Sequence, residues 1–159
     1  IKLENFKMAV NTYTPLIHEV LKKVHNAKTK DKKVQILREN NSEALRMVIK
    51  GSFDPNIEWV IPEGDVPYTK NEAPEGTEHT QLFQESKKLF RFIKGADSST
   101  PQWKKEQMFV QMLEGLSQGE AEVVVAAKDK KLHQVYKGLS AVVVREAFEW
   151  NEEFYNPNK

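Results

Sequence analysis

Prolines divide this chain before any other feature does. Four of its seven, Pro55, Pro62, Pro67 and Pro74, fall between residues 52 and 78, together with Gly64 and Gly76. A proline lacks the backbone N–H and fixes φ, so no long helix passes through this stretch. On either side of it, apolar residues recur at three- and four-residue spacing, the pattern of helices that each bury one face. The expected fold is therefore all-α. It is a single domain over residues 8–155, built of six or seven short helices, with a proline-rich acidic excursion at 52–78 and a tail at 156–159.

Local punctuation refines this. Thr14-Pro15 reads as a helix start, since threonine accepts an orphan N–H and proline at the first helical position loses nothing. Leu16, Ile17, Val20, Leu21 and Val24 then form one stripe. Asp31 is expected to cap a second helix carrying Val34, Ile36 and Leu37. Ser42 caps a third with Ala44, Leu45, Val48 and Ile49, closed by Gly51. Within the excursion, Ile57 to Ile61 and Val66 to Tyr68 flank Pro62-Glu63-Gly64-Asp65. That pattern allows a small β-hairpin, with Pro67 confining its strand to an edge.

Thr77 or Thr80 opens a fourth helix, with Leu82, Phe83, Leu89, Phe90 and Ile93 facing inward and Gly95 ending it. Thr100-Pro101 opens a fifth, burying Phe109, Met112, Leu113 and Leu116. Ser117 with Glu120 is a capping box, and Gly138-Leu139-Ser140 repeats the punctuation of Gly115-Leu116-Ser117. The valine triplets Val123 to Val125 and Val142 to Val144 favour strand by propensity. The caps before them and the alanines and charges around them favour helix, which is the expectation here. Phe148, Trp150, Phe154 and Tyr155 make an aromatic C-terminal stretch. Met8 opens Met-Ala-Val-Asn, which reads as a natural start and leaves residues 1–7 open between native chain and upstream extension.

With 159 residues, of which 39% are hydrophobic and 30% charged, the chain is large enough to fold around one core without staples. It has no cysteine, which excludes disulfides, thiolate catalysis and Cys-based zinc sites. No stretch approaches the length of a spanning helix and no signal-peptide core is seen, so the expected location is a cytoplasm.

The net charge of +1 hides a strong segregation. Lys22, Lys23, Lys28, Lys30, Lys32, Lys33 and Arg38 face only Asp31, a local net of +6, whereas residues 54–85 carry eight carboxylates against Lys70, a local net of −7. Such blocks either solvate separate faces, bind each other within the fold, pair two copies as a homodimer, or contact a charged partner.

Candidate chemistry is sparse. Leu113-Glu114-Gly115-Leu116-Ser117 before Ala121, Val123 and Val124 resembles a degenerate helix-hairpin-helix turn. There Gly115 and Ser117 would present backbone N–H groups to a phosphate, and Lys128, Lys130 and Lys131 would add contacts. Ser117 stands where that motif wants a second glycine, so an ordinary stop-and-cap is the plainer reading. His18 and His25 share a helical face at a spacing too wide for zinc, and read as exposed histidines. Asp54, Glu63 and Asp65 with Lys70 superficially suggest a magnesium-dependent hydrolase, but lack the strand-rich core such sites are built on. Glycine-rich phosphate loops, nucleophile elbows and HExxH are absent, so no cofactor and no metal is expected.

The stretches Phe109-Val-Gln-Met-Leu-Glu-Gly-Leu, Glu120-Ala-Glu-Val-Val, Lys128-Asp-Lys-Lys-Leu and Gly138-Leu-Ser through Val144-Arg-Glu-Ala-Phe148 resemble a family of small uncharacterised proteins of large myovirus-type tailed phages, marine bacteriophages among them. The resemblance covers residues 80–150 well and the N-terminal helices loosely, and the acidic, aromatic stretch after Phe148 has no counterpart. It implies a phage gene product acting in the cytoplasm of an infected bacterial host or packaged in the virion, and it assigns no functional residue. The expected role is non-catalytic: an accessory protein binding an unknown protein partner through its charged segments or through Trp150, Phe154 and Tyr155. A nucleic-acid-binding accessory is the alternative, and a metal-dependent hydrolase ranks third.

Overall fold

Short helices that each carry one apolar stripe bury it only by packing on one another, and the chain does so around one central member. A computed structural model describes residues 14–72 and 80–150. In chain order the described helices are α1 (Ile17–Asn26), α2 (Lys30–Glu39), α3 (Glu43–Phe53), α4 (Leu82–Glu85), a 3₁₀ helix (Ser86–Phe92), α5 (Gln102–Gly115), α6 (Gln118–Lys128), α7 (Leu132–Val135) and α8 (Ala141–Phe148). The all-α expectation holds, with more and shorter helices than the sequence pattern suggests. No helix among the described residues is long and apolar enough to cross a membrane.

The central helix is α6. It buries Glu120, Ala121, Val123, Val124, Ala126, Ala127 and Lys128, so it is covered nearly all round. Helices α1, α3, α5 and α7 pack on it, and α2 lies between α1 and α8. Both valine triplets are helical, as their caps imply. Ser117 Oγ accepts Glu120 N–H, Ser140 Oγ accepts Val143 N–H, and Ser42 Oγ accepts Leu45 N–H at 3.1 Å.

Other boundaries move, each for a physical reason. Helix α1 begins at Ile17 instead of at Thr14-Pro15, where one carboxylate of its own first turn and one from α6 satisfy its first N–H groups. Glu19 takes Leu16 N–H at 3.0 Å, and Glu120 Oε2 takes Ile17 N–H at 3.1 Å. The cap of α2 is Thr29, whose hydroxyl accepts Lys32 N–H, and not Asp31. Gly51 does not end α3, which runs on to Phe53. The glycine instead makes room for Trp59, whose ring lies 2.8 Å from where a Cβ would stand and whose Nε1 donates to Gly51 O at 3.0 Å.

The expected fourth helix tightens to 3₁₀ geometry after Glu85. With three residues per turn, Ser86, Leu89 and Phe92 share the buried face and Phe90 turns outward, 43% exposed, correcting its assignment to the core. Phe92 meets Phe109 edge-on at 5.1 Å, tying this helix to α5.

The β-hairpin does not form among the described residues. Residues 58–60 pair instead with 92–94: Val60 N–H donates to Phe92 O at 2.8 Å and Lys94 N–H to Glu58 O at 2.7 Å, around an isolated antiparallel bridge between Trp59 and Ile93.

Candidate functional site

The residues singled out from sequence fall into separate places. Ser117 is 2% exposed, and Gly115 O accepts Thr80 N–H at 3.1 Å. The N-terminus of α6 is covered by α1, with the His18 imidazole lying against Gly119 so closely that a Cβ there would sit 2.3 Å from the ring. The carboxylate of Glu120, fully buried, occupies the same end. It accepts Ile17 N–H and, through Oε1, Leu82 N–H at 3.1 Å, so one side chain serves the starts of α1 and α4 together. A negative charge suits two helix N-termini and is unfavourable for a phosphate. The capping box read from Ser117 and Glu120 is thus half local, because the glutamate turns away to distant backbone.

Lys128, Lys130 and Lys131 lie at the far end of α6, about 16 Å from Ser117 by helical rise. They hold the proline-rich excursion. Lys128, 4% exposed, donates to Pro62 O at 2.8 Å and Gly64 O at 3.1 Å and bonds the Asp129 carboxylate, which in turn accepts Gly64 N–H at 3.1 Å. Lys130 donates to Asp54 O at 2.7 Å. Burial pulls its ammonium below the usual lysine range, against the opposing pull of the Asp54 and Glu58 carboxylates. Its backbone is left-handed, φ 60°, at the αL position closing α6: Lys131 N–H returns to Ala126 O and Lys130 N–H to Ala127 O. Lys131 pairs with Glu63 at 3.7 Å. Further along, Thr69 N–H donates to Glu114 and Gln118 Nε2 to the Tyr68 hydroxyl. The excursion therefore runs beside α6 from its C-terminus to its N-terminus, held by lysines at the backbone carbonyls of Asp54, Pro62 and Gly64 and at the Glu63 carboxylate.

Asp54, Glu63 and Asp65 do not converge. Asp54 is buried and accepts Asn56 N–H, Glu63 turns to Lys131, and Asp65 is exposed. Among the described residues no group of three His, Asp or Glu side chains is placed to hold a metal ion, so the convergence a hydrolase reading requires is missing there. The histidines are not exposed as expected. His18 packs on Gly119, and His25 Nδ1 accepts Gly138 N–H at 3.4 Å with its ring edge-on to Tyr136. Burial, with Glu122 nearby, pushes the Tyr136 phenol up to about 12. Trp150 packs its ring on Phe148 at 5.1 Å, and Phe154 and Tyr155 lie outside the described residues.

The basic block divides in two. Lys30 pairs with Glu146 at 3.4 Å, and Arg38 donates to the carbonyls of Glu146 at 2.9 Å and Ala147 at 3.3 Å, so these two cations hold the C-terminal end of α8. Lys22, Lys23, Lys28, Lys32 and Lys33 form no ion pair among the described residues. Of these, Lys22 and Lys23 on α1 and Lys32 on α2 line one open groove of about 710 Å³ together with His18, Glu19, Asn26, Ala27 and Ile36. Sequence showed the cations but not which of them the fold consumes, since Lys30 and Arg38 are spent on a helix more than a hundred residues away.

These features define an all-α protein with a charge-lined interhelical groove. Over residues 20–134 the chain matches a family of unknown function, DUF6433, and it belongs to that family. No curated protein and no solved structure matches it.

Proposed function

We propose that this is a phage-encoded, non-catalytic accessory protein that acts by binding another protein through the basic face of α1 and α2. One observation carries the reading. The fold engages the acidic excursion, Lys30 and Arg38, yet leaves five lysines of one short segment without an ion pair among the described residues, three of them around a single groove. A concentration of like charge raises the free energy of the compact state, and an opposite partner surface relieves it while steering encounter. The phage assignment rests on the resemblance of residues 80–150 to tailed-phage proteins.

The test is affinity capture of the tagged protein from infected-cell lysate, with a parallel nuclease-treated sample, followed by mass spectrometry. Protein partners that survive nuclease support the reading. Partners lost with nuclease overturn it in favour of a nucleic-acid-binding accessory.

A further inference from the structure

The groove between α1 and α2 carries more information than its charge. Its two walls present cations toward the same space, Lys22 and Lys23 from α1 and Lys32 from α2, while Ala27 and the half-buried Ile36 give it an apolar floor. Residues four apart share a helix face, so His18 with Lys22, Glu19 with Lys23, and Lys32 with Ile36 each lie one above the other along the walls. An occupant meets Lys22 and Lys23 on one wall and Lys32 on the other, with the apolar Ala27 and Ile36 at the floor.

Three features separate the possible anions. A nucleic-acid strand needs a continuous cationic track, and guanidinium or aromatic planes on which bases stack. Among the described residues the groove is lined by neither arginine nor an aromatic ring other than His18, and Arg38, the one arginine of the basic block, is held by α8. Glu19, whose carboxylate also accepts Leu16 N–H, stands on the α1 wall one turn before Lys23 and interrupts a run of phosphates there. A peptide with carboxylates on its flanks and an apolar side chain between them needs no such run. It also adds what solvent-facing lysines supply poorly, since rim ion pairs govern encounter and specificity more than affinity, and a buried apolar anchor supplies the rest.

We infer that the α1–α2 groove takes an acidic amphipathic helix of a partner protein, its carboxylates on Lys22, Lys23 and Lys32 and an apolar side chain on Ile36. This rests on the protein-binding reading above and specifies the occupant. The recognition mode is a helix laid in a groove, read by anchors at helical spacing.

The probe is a synthetic, fluorescein-labelled peptide of about 16 residues, roughly four helical turns, with glutamates flanking a leucine stripe. Its controls are a scrambled peptide of identical composition and a single-stranded oligonucleotide of equal charge. Fluorescence anisotropy with the full chain is expected to show the helical peptide binding at least about tenfold more tightly than either control. The variant K22E/K23E/K32E should weaken it about tenfold or more. Ile36→Ser should weaken it with its salt dependence unchanged, because that substitution removes the anchor and not the charge. Circular dichroism checks that both variants fold. Equal binding of the scrambled peptide or the oligonucleotide, or undiminished binding by the charge-reversed variant, overturns the inference. If the helical peptide fails while the lysate partner is still captured through these lysines, the occupant is wrong and the protein-binding reading stands. If capture is also indifferent to the lysines, both fall.

Discussion

Glu120 accepts the backbone N–H of Ile17 at 3.1 Å across 103 positions of sequence, with no part of the glutamate exposed. The same carboxylate holds Leu82 N–H, so the entry to α1 and the return of the chain after the excursion are fixed from the first turn of α6. Glu120→Gln keeps the shape but sets an NH₂ donor against one of the two N–H donors. The expected loss is about 2–3 kcal/mol, the scale of a charge-assisted hydrogen bond plus an unsatisfied donor. Urea denaturation measures it. Hydrogen exchange should show Ile17 and Leu82 amides deprotected together, and deprotection of only one would contradict the shared role.

At Gly119 two effects oppose. Alanine gains up to about 1 kcal/mol of helix propensity over glycine, but its Cβ would lie 2.3–2.6 Å from three atoms of the His18 ring. Overpacking of this kind costs about 1–3 kcal/mol, so Gly119→Ala should destabilise on balance. In a double-mutant cycle, His18→Ala should make Gly119→Ala neutral or stabilising. Additive effects would show that the close approach is not what excludes a side chain.

Much of the fold was legible where the signal is local. Ser42, Ser117 and Ser140 cap helices as read, because a hydroxyl before an apolar stripe acts within four residues. The legible part ends where a distant group decides. Helix α1 starts late because Glu120 arrives from α6, Gly51 stays helical because Trp59 packs on it, and Phe90 faces out because residues 86–92 tighten to three per turn. The candidate site follows the same division. The lysines of 22–38 stand out in sequence, but the separation of Lys30 and Arg38 from Lys22, Lys23 and Lys32 depends on where α8 docks.

Lys128 tests how the excursion is ordered. Lys128→Met leaves the carbonyls of Pro62 and Gly64 and the Asp129 carboxylate without their common cation. Removing one partner from such a buried set costs about 3–5 kcal/mol if the rest stays buried. Local opening that rehydrates the exposed residues around Gly64 would make the measured loss smaller. It should appear first as faster amide exchange at Gly64, whose N–H is held by Asp129. Unchanged exchange there would contradict the clamp.

Asp97 sets an acid-side dependence. Hydroxyl hydrogen bonds from Ser99 at 2.8 Å and Thr100 at 2.9 Å hold its carboxyl down at about 2, against an ordinary value of 3.8. A depressed folded-state pKa contributes stability that is present above the unfolded value and lost as pH falls through the folded one. Wild type should therefore exceed Asp97→Asn in urea midpoint above pH 3.8, and the two should converge as pH approaches 2. A gap that persists at the acid end would assign the difference to something other than this ionisation.

The lysines of the α1–α2 face are proposed to bind a partner and not to stabilise the fold. Surface substitutions of this kind change stability by no more than about 0.5 kcal/mol each. The most direct measurement is nuclease-treated affinity capture with wild type and K22E/K23E/K32E side by side, with thermal unfolding of both. The expected result is an equally stable variant that loses the partner. A variant that still captures it, or that loses it only by unfolding, overturns the proposed role of these lysines.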